Sequence, residues 1–84
     1  RLYSKGLYMK ECNWIPSEPI KKDFKCKAKF RYRQEEQGVT VHIGGDGITV
    51  DFDEKQRAIT EGQFCVFYDD EKCLGGGIIE KAIF

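Results

Sequence analysis

The stretch KCKAKFRYRQ, Lys25 to Gln34, alternates charged and apolar residues without a break. Lys25, Lys27, Lys29, Arg31 and Arg33 take the odd positions, and Cys26, Ala28, Phe30 and Tyr32 the even ones. A period of two sends the two sets to opposite faces of a β-strand, one wet and one buried. The strand is expected over about 24–33. Downstream, GVTVHI (38–43) and GITVDF (47–52) flank the turn GGDG and read as a hairpin. In its second arm Ile48, Val50 and Phe52 face one way, and Thr49, Asp51 and Asp53 the other.

The rest of the chain also reads as strands. LYMKEC (7–12) is a short one, and the two prolines of NWIPSEP mark a connecting loop after it. EKQRAITEG is a longer polar connection with room for a helical turn or a short strand at 57–60. QFCVFY (63–68) is apolar on both faces, which points to a central strand covered on both sides. CLGGGIIEKAIF returns as the last strand, and Gly75–Gly77 within it mark a bend, a bulge or a close backbone crossing that helps the sheet close. No stretch sustains a helical period. Six or seven short strands at this spacing predict an all-β fold, a small antiparallel barrel in preference to a sandwich.

Eighty-four residues with 40% apolar content make one domain with a modest core. Such a chain buries about 60–65% of its unfolded surface. No window approaches the ~20 apolar residues of a membrane span, and nothing resembles a signal peptide. The chain opens at Arg1 and its only methionine is Met9, so it is expected to be a piece of a longer protein. The expected layout is a lead-in strand and proline loop over 1–23 and a barrel body over 24–84.

Net charge is zero, yet residues 1–33 hold ten Lys/Arg against three acids, and residues 34–84 hold four against eleven. That asymmetry implies either one polyanion-facing surface or two charged strands neutralising each other within the fold. Cations about 6.6 Å apart along one strand face fall near the spacing of nucleotide phosphates. The competing reading is a solvated strand face with Asp51 and Asp53 as cross-strand counterions. At the end of the stripe, FRYRQ offers two guanidinium forks for phosphate, an aromatic that stacks and an amide that reads a base edge. Tyr32 as a core residue and Gln34 as a turn residue is the other reading of that end.

Cys12, Cys26, Cys65 and Cys73 contain no C-x-x-C, and His42 has no partner at metal-ligand spacing, so buried reduced thiols are expected. GGDG and LGGG lack both the G-x-x-x-x-G-K-[ST] pattern and a following helix. Asp51, Asp53 and Glu54 lack the spacing of an EF-hand loop. No catalytic constellation is present.

CNWI, AKFRYRQ and VDFDEKQRAITEGQFCVFYDDEKCLGGGII, in that order and spacing, resemble the C-terminal domain of the tRNA-specific 2-thiouridylases over nearly the entire chain. The chain departs from the family at Lys55, where a proline is usual, and in EEQG after RYRQ, where another is usual. The resemblance implies a six-stranded antiparallel β-barrel similar to the second domain of elongation factor Tu. It implies a full-length cytoplasmic enzyme that adenylates the wobble uridine of tRNA with ATP and Mg, then installs sulfur relayed as a persulfide. A sulfur-carrier protein and an N-terminal catalytic domain are implied as partners, together with the anticodon arm of tRNA. No catalytic cysteine position matches Cys12, Cys26, Cys65 or Cys73, so the fragment is expected to be inert alone.

Family tRNA contacts fall on Arg31, Tyr32 and Gln63; Arg33 and Gln34 adjoin them, and Lys25, Lys27 and Lys29 are left open between phosphate contacts and pairing with acidic neighbours. Two other readings stay open at this point. One is a structural barrel bracing a catalytic domain, whose marker would be an exposed apolar patch around Ile78, Ile79, Ile83 and Phe84. The other is a barrel from a translation factor.

Overall fold

A computed structural model of the chain describes residues 3–15, 23–30 and 35–84. Their regular structure is all strand: β1 (Tyr3–Met9), β2 (Asn13–Trp14), β3 (Asp23–Lys29), β4 (Gln37–Gly44), β5 (Gly47–Arg57), β6 (Phe64–Asp69), β7 (Lys72–Ile78) and β8 (Lys81–Ile83). All ladders are antiparallel, in the order β2-β7-β6-β3-β4-β5-β1-β8.

The two short strands resolve the count. β8 pairs with β1 from Gly6↔Ile83 to Tyr8↔Lys81, and β2 pairs with β7 at Asn13↔Gly76 and Trp14↔Gly75. Each step forward from Gly6 to Trp14 is one step back from Ile83 to Gly75, so both ladders share a single register. β1 and β2 therefore act as one bent strand, β7 and β8 as another, and their pairing joins the two ends of the sheet. Counted this way the barrel has the six strands expected, and closure removes the sheet's exposed edges. The lead-in segment supplies β1, a full member of the ring beside β5.

Alternation fills the interior. Leu7, Met9, Ala28, Phe30, Val39, Val41, Ile48, Val50, Ile59, Cys65, Phe67 and Ile79 form the buried core. Trp14 caps it, stacked on Phe67 with ring centroids 5.4 Å apart and edge-on to Phe24 at 5.8 Å. The inward and outward sets of β3 and β5 are those read from the sequence.

Three expectations change. β5 runs on to Arg57, because Gln56 and Arg57 pair with Ser4 and Tyr3 beyond a bulge whose extra residues lie in β5, between Asp51 and Gln56. Its extension is polar and exposed except at one residue: Gln56 is 8% exposed, Ser4 Oγ donates to its carbonyl, and its amide donates to Gln37 Oε1 and Glu54 O. β6 is covered on one side only; Cys65 and Phe67 point inward, while Phe64 is 51% exposed. The last strand breaks at Ile79–Glu80, where the Glu80 N–H turns to Tyr8 O.

The triple glycine does what its position implied. A Cβ on Gly75, where φ is +150°, would run into Asn13 O and lie 2.9 Å from Trp14 Cα; one on Gly77 would lie 2.6 Å from Glu11 O. Backbone crosses backbone here, and only hydrogen fits. Gly75→Ala should therefore cost about 3 kcal/mol or more in urea denaturation, combining φ strain with overpacking. Gly45→Ala, in a turn with nothing within 4 Å, should stay within about 0.5 kcal/mol of the parent.

Candidate nucleic-acid interface

The cationic strand presents Lys25, Lys27 and Lys29 on its outer face, with Asp23 at its start. Asp53 of β5 leans over Gly38, whose missing side chain leaves room for the carboxylate, and reaches Lys25 Nζ at 3.5 Å. Both side chains are about half exposed or more, so the pair adds little stability, about 0–1 kcal/mol. Lys29 Nζ sits 5.9 Å from the centre of the Tyr68 ring, a cation–π contact. Lys27 forms no ion pair among the described residues. It lines an open groove with Lys25, Tyr68, Asp53, Asp69 and Asp70. The cations thus face outward but are partly answered by local acids and an aromatic ring.

Asp51 serves another cation. His42 on β4 lies between two carboxylates, its Nδ1 2.9 Å from Asp23 Oδ1 and its Nε2 2.8 Å from Asp51 Oδ2, each oxygen placed to accept a ring N–H. This exposed clamp ties three neighbouring strands together across the outer face. Of the two counterions expected for the stripe, Asp53 takes that role and Asp51 does not.

Gln63 opens β6 at a turn held from both sides. Its Oε1 accepts the Thr60 N–H at 2.9 Å, its N–H donates to Thr60 O, and its carbonyl accepts the Ile79 N–H. The amide oxygen is therefore committed, and the Nε2 donors have no partner among the described residues. The far end of β3 lies at the same rim, since Lys29 pairs with Val66 two residues into β6. Arg31, Tyr32, Arg33 and Gln34 lie outside the described residues.

The cysteines are free thiols. Burial, with neighbouring thiols adding to it, pushes Cys12 up to about 12. Burial likewise pushes Cys26 up to about 11 and Cys65 higher still. Such groups stay protonated at neutral pH and are poor nucleophiles. Among the described residues no group of three or more His, Cys, Asp or Glu is placed to hold a metal, and no helix is long and apolar enough to cross a membrane.

The family model described as the aminomethyltransferase beta-barrel domain matches residues 4–79. The chain belongs to this aminomethyltransferase β-barrel domain family. Within it, the chain is 54% identical over 81 residues to the tRNA-specific 2-thiouridylases MnmA of Lactococcus lactis subsp. cremoris (strain MG1363) and of Shouchella clausii (strain KSM-K16). It is 50% identical to that of Hahella chejuensis (strain KCTC 2396). These matches cover 95–96% of the chain but only 22% of each relative. The resemblance carried by RYRQ, GQ and CLGGGII thus holds across the whole barrel.

Two features of the outer surface escaped the sequence. Phe64 and Ile78, cross-strand partners in β6 and β7, are each about half exposed, whereas apolarity had suggested a covered strand. Ile79, named with Ile78, Ile83 and Phe84 as the patch that would mark a bracing module, is buried at 1% in the core, while Phe84 is 51% exposed and Ile83 intermediate. Of the Asp23–His42–Asp51 clamp, only the outward position of Asp51 was legible.

The clamp makes a pH prediction. Hydrogen bonds to Asp23 and Asp51 raise the His42 pKa above its ordinary 6.5. Its stabilisation is then fully present below about pH 6.5 and fades as pH climbs through the raised value. Urea midpoints of the parent and His42→Gln, compared from pH 5.5 to 9, should differ most at the acidic end and converge at the alkaline end.

Proposed function

We propose that this chain is the C-terminal, tRNA-holding barrel of a cytoplasmic ATP-dependent tRNA 2-thiouridylase that makes 2-thiouridine at the wobble position. The observation that carries the reading is the similarity to tRNA-specific 2-thiouridylases over 96% of the chain. The geometry supports it: an outward lysine strand ends at the rim where the Gln63 amide donors have no partner among the described residues.

The role is positioning. Arg31 and Arg33, with one of Lys25, Lys27 and Lys29, meet phosphates of the anticodon arm; Gln63, Tyr32 and Gln34 meet sugar or base edges. Fixing the arm in this way lets a wobble base leave its stack and reach a catalytic domain in the same polypeptide. The residues described here do not fit an ATP–Mg site. Their glycine runs lie in strands and a hairpin turn, and no helix follows to receive a phosphate. ATP, the persulfide sulfur donor and a sulfur-carrier protein therefore belong to the remainder of the enzyme.

In the full-length enzyme, Arg31→Ala and Gln63→Ala should each weaken tRNA binding several-fold in filter assays. With about three phosphate contacts, log K should fall against log salt with a slope of about −2 to −3. Unchanged affinity in both variants removes the RNA role.

A further inference from the structure

Beside Gln63, the outer face of β6 and β7 carries a small groove of about 230 Å³. Phe64 and Ile78 form its apolar walls, Gly77 part of its lining, and Lys10, Glu11, Asn13 and Glu80 its polar rim. Its shape comes from glycine at 76. A Cβ there would lie 2.9 Å from the Phe64 ring, so the ring can lie along the strand only because that position is bare. The ring is held from behind and remains half exposed, a flat shelf rather than a dangling side chain.

The polar groups around the shelf are uncommitted or weakly held. The Asn13 amide is exposed and makes no hydrogen bond among the described residues. Lys10 Nζ touches Glu80 at 3.5 Å, with side chains 72% and 45% exposed. Such a surface pair is worth about 0–1 kcal/mol and exchanges readily for another anion. Lys29 stands opposite Val66, two residues along β6 from the ring.

We propose that this groove is a pocket for one unpaired nucleobase of the bound RNA. The base stacks on Phe64 against Ile78, the Asn13 amide meets its hydrogen-bonding edge, and Lys10 takes the adjoining phosphate. The proposal rests on the RNA-binding reading above and adds a site to it. Base–aromatic stacking tolerates any base, and an amide supplies a donor and an acceptor for an edge. At about 230 Å³ the groove is smaller than the ~300–1,000 Å³ of pockets for drug-sized ligands, so its occupant is a small group. A protein partner fits less well. Two half-exposed apolar residues ringed by Lys10, Glu11, Glu80 and Lys29 fall far short of the ~800 Å² per side of a stable protein interface.

The test uses the full-length enzyme, an unmodified tRNA transcript and filter binding, with thermal melting of each variant. Phe64→Ala should weaken binding about five- to twentyfold, as expected for loss of one stacked base. Phe64→Trp should stay within about twofold of the parent, and Phe64→Leu should resemble Phe64→Ala, because stacking needs a ring. Melting temperatures should barely move. If Gln63→Ala weakens binding and Phe64→Ala does not, the pocket is wrong and the positioning role survives. If neither variant loses affinity, both fall. A Phe64→Leu variant that binds like the parent, or a Phe64→Ala variant that melts earlier with unchanged affinity, assigns the face to packing against protein and overturns the pocket.

Discussion

The barrel depends on one ladder. The bent strand of β1 and β2 pairs with the bent strand of β7 and β8 in a single register, and this pairing turns an open sheet into a ring. The crossing is close enough that Gly75 and Gly77 accept no side chain. In so small a domain no second layer exists to bury an open sheet's inner face. Closure makes the two halves of one sheet cover each other, with Trp14, Phe67 and Leu7 filling the space between.

Closure also arranges the outer surface. It carries the basic first half of the chain around to the acidic second half, so that β3 lies between β4 and β6. Asp53 reaches Lys25, the Asp69–Asp70 turn borders Lys27, and Asp23 and Asp51 share His42. A chain with opposite charges at its two ends thus folds into a surface of short-range pairs. The exposed pairs are weak, which leaves the lysines able to trade an aspartate for a phosphate. Gln63 is different in kind: its side-chain oxygen is part of the turn, accepting the Thr60 N–H.

Most of the fold could be read in the residues. The alternation of Lys25–Lys29 and of Ile48–Asp53 gave two faces correctly, because one face is wet and the other dry. The tail of β5 was hidden because Gln56 is buried through hydrogen bonds, a kind of burial that hydrophobicity does not signal. The exposed face of β6 was misread because Phe64 and Val66 are apolar on a surface where apolarity normally means cover. Of the candidate site, Gln63 became visible only through resemblance; a lone glutamine after a glycine carries no signal of its own. The groove beside Phe64 depends on a glycine from another strand, and no local pattern records that.

Amide hydrogen exchange measured residue by residue tests the closed ring most directly. The Glu80 N–H donates to Tyr8 O and the Ile15 N–H to Leu74 O, both across the closing ladder. A closed barrel protects these two amides to nearly the same degree as Val41 and Val50 in the central strands, because they open only when the whole unfolds. Rapid exchange at Glu80 and Ile15 beside slow exchange at Val41 and Val50 would mean an open sheet, and the rim that gathers Gln63, Phe64 and the lysine strand would lose its foundation.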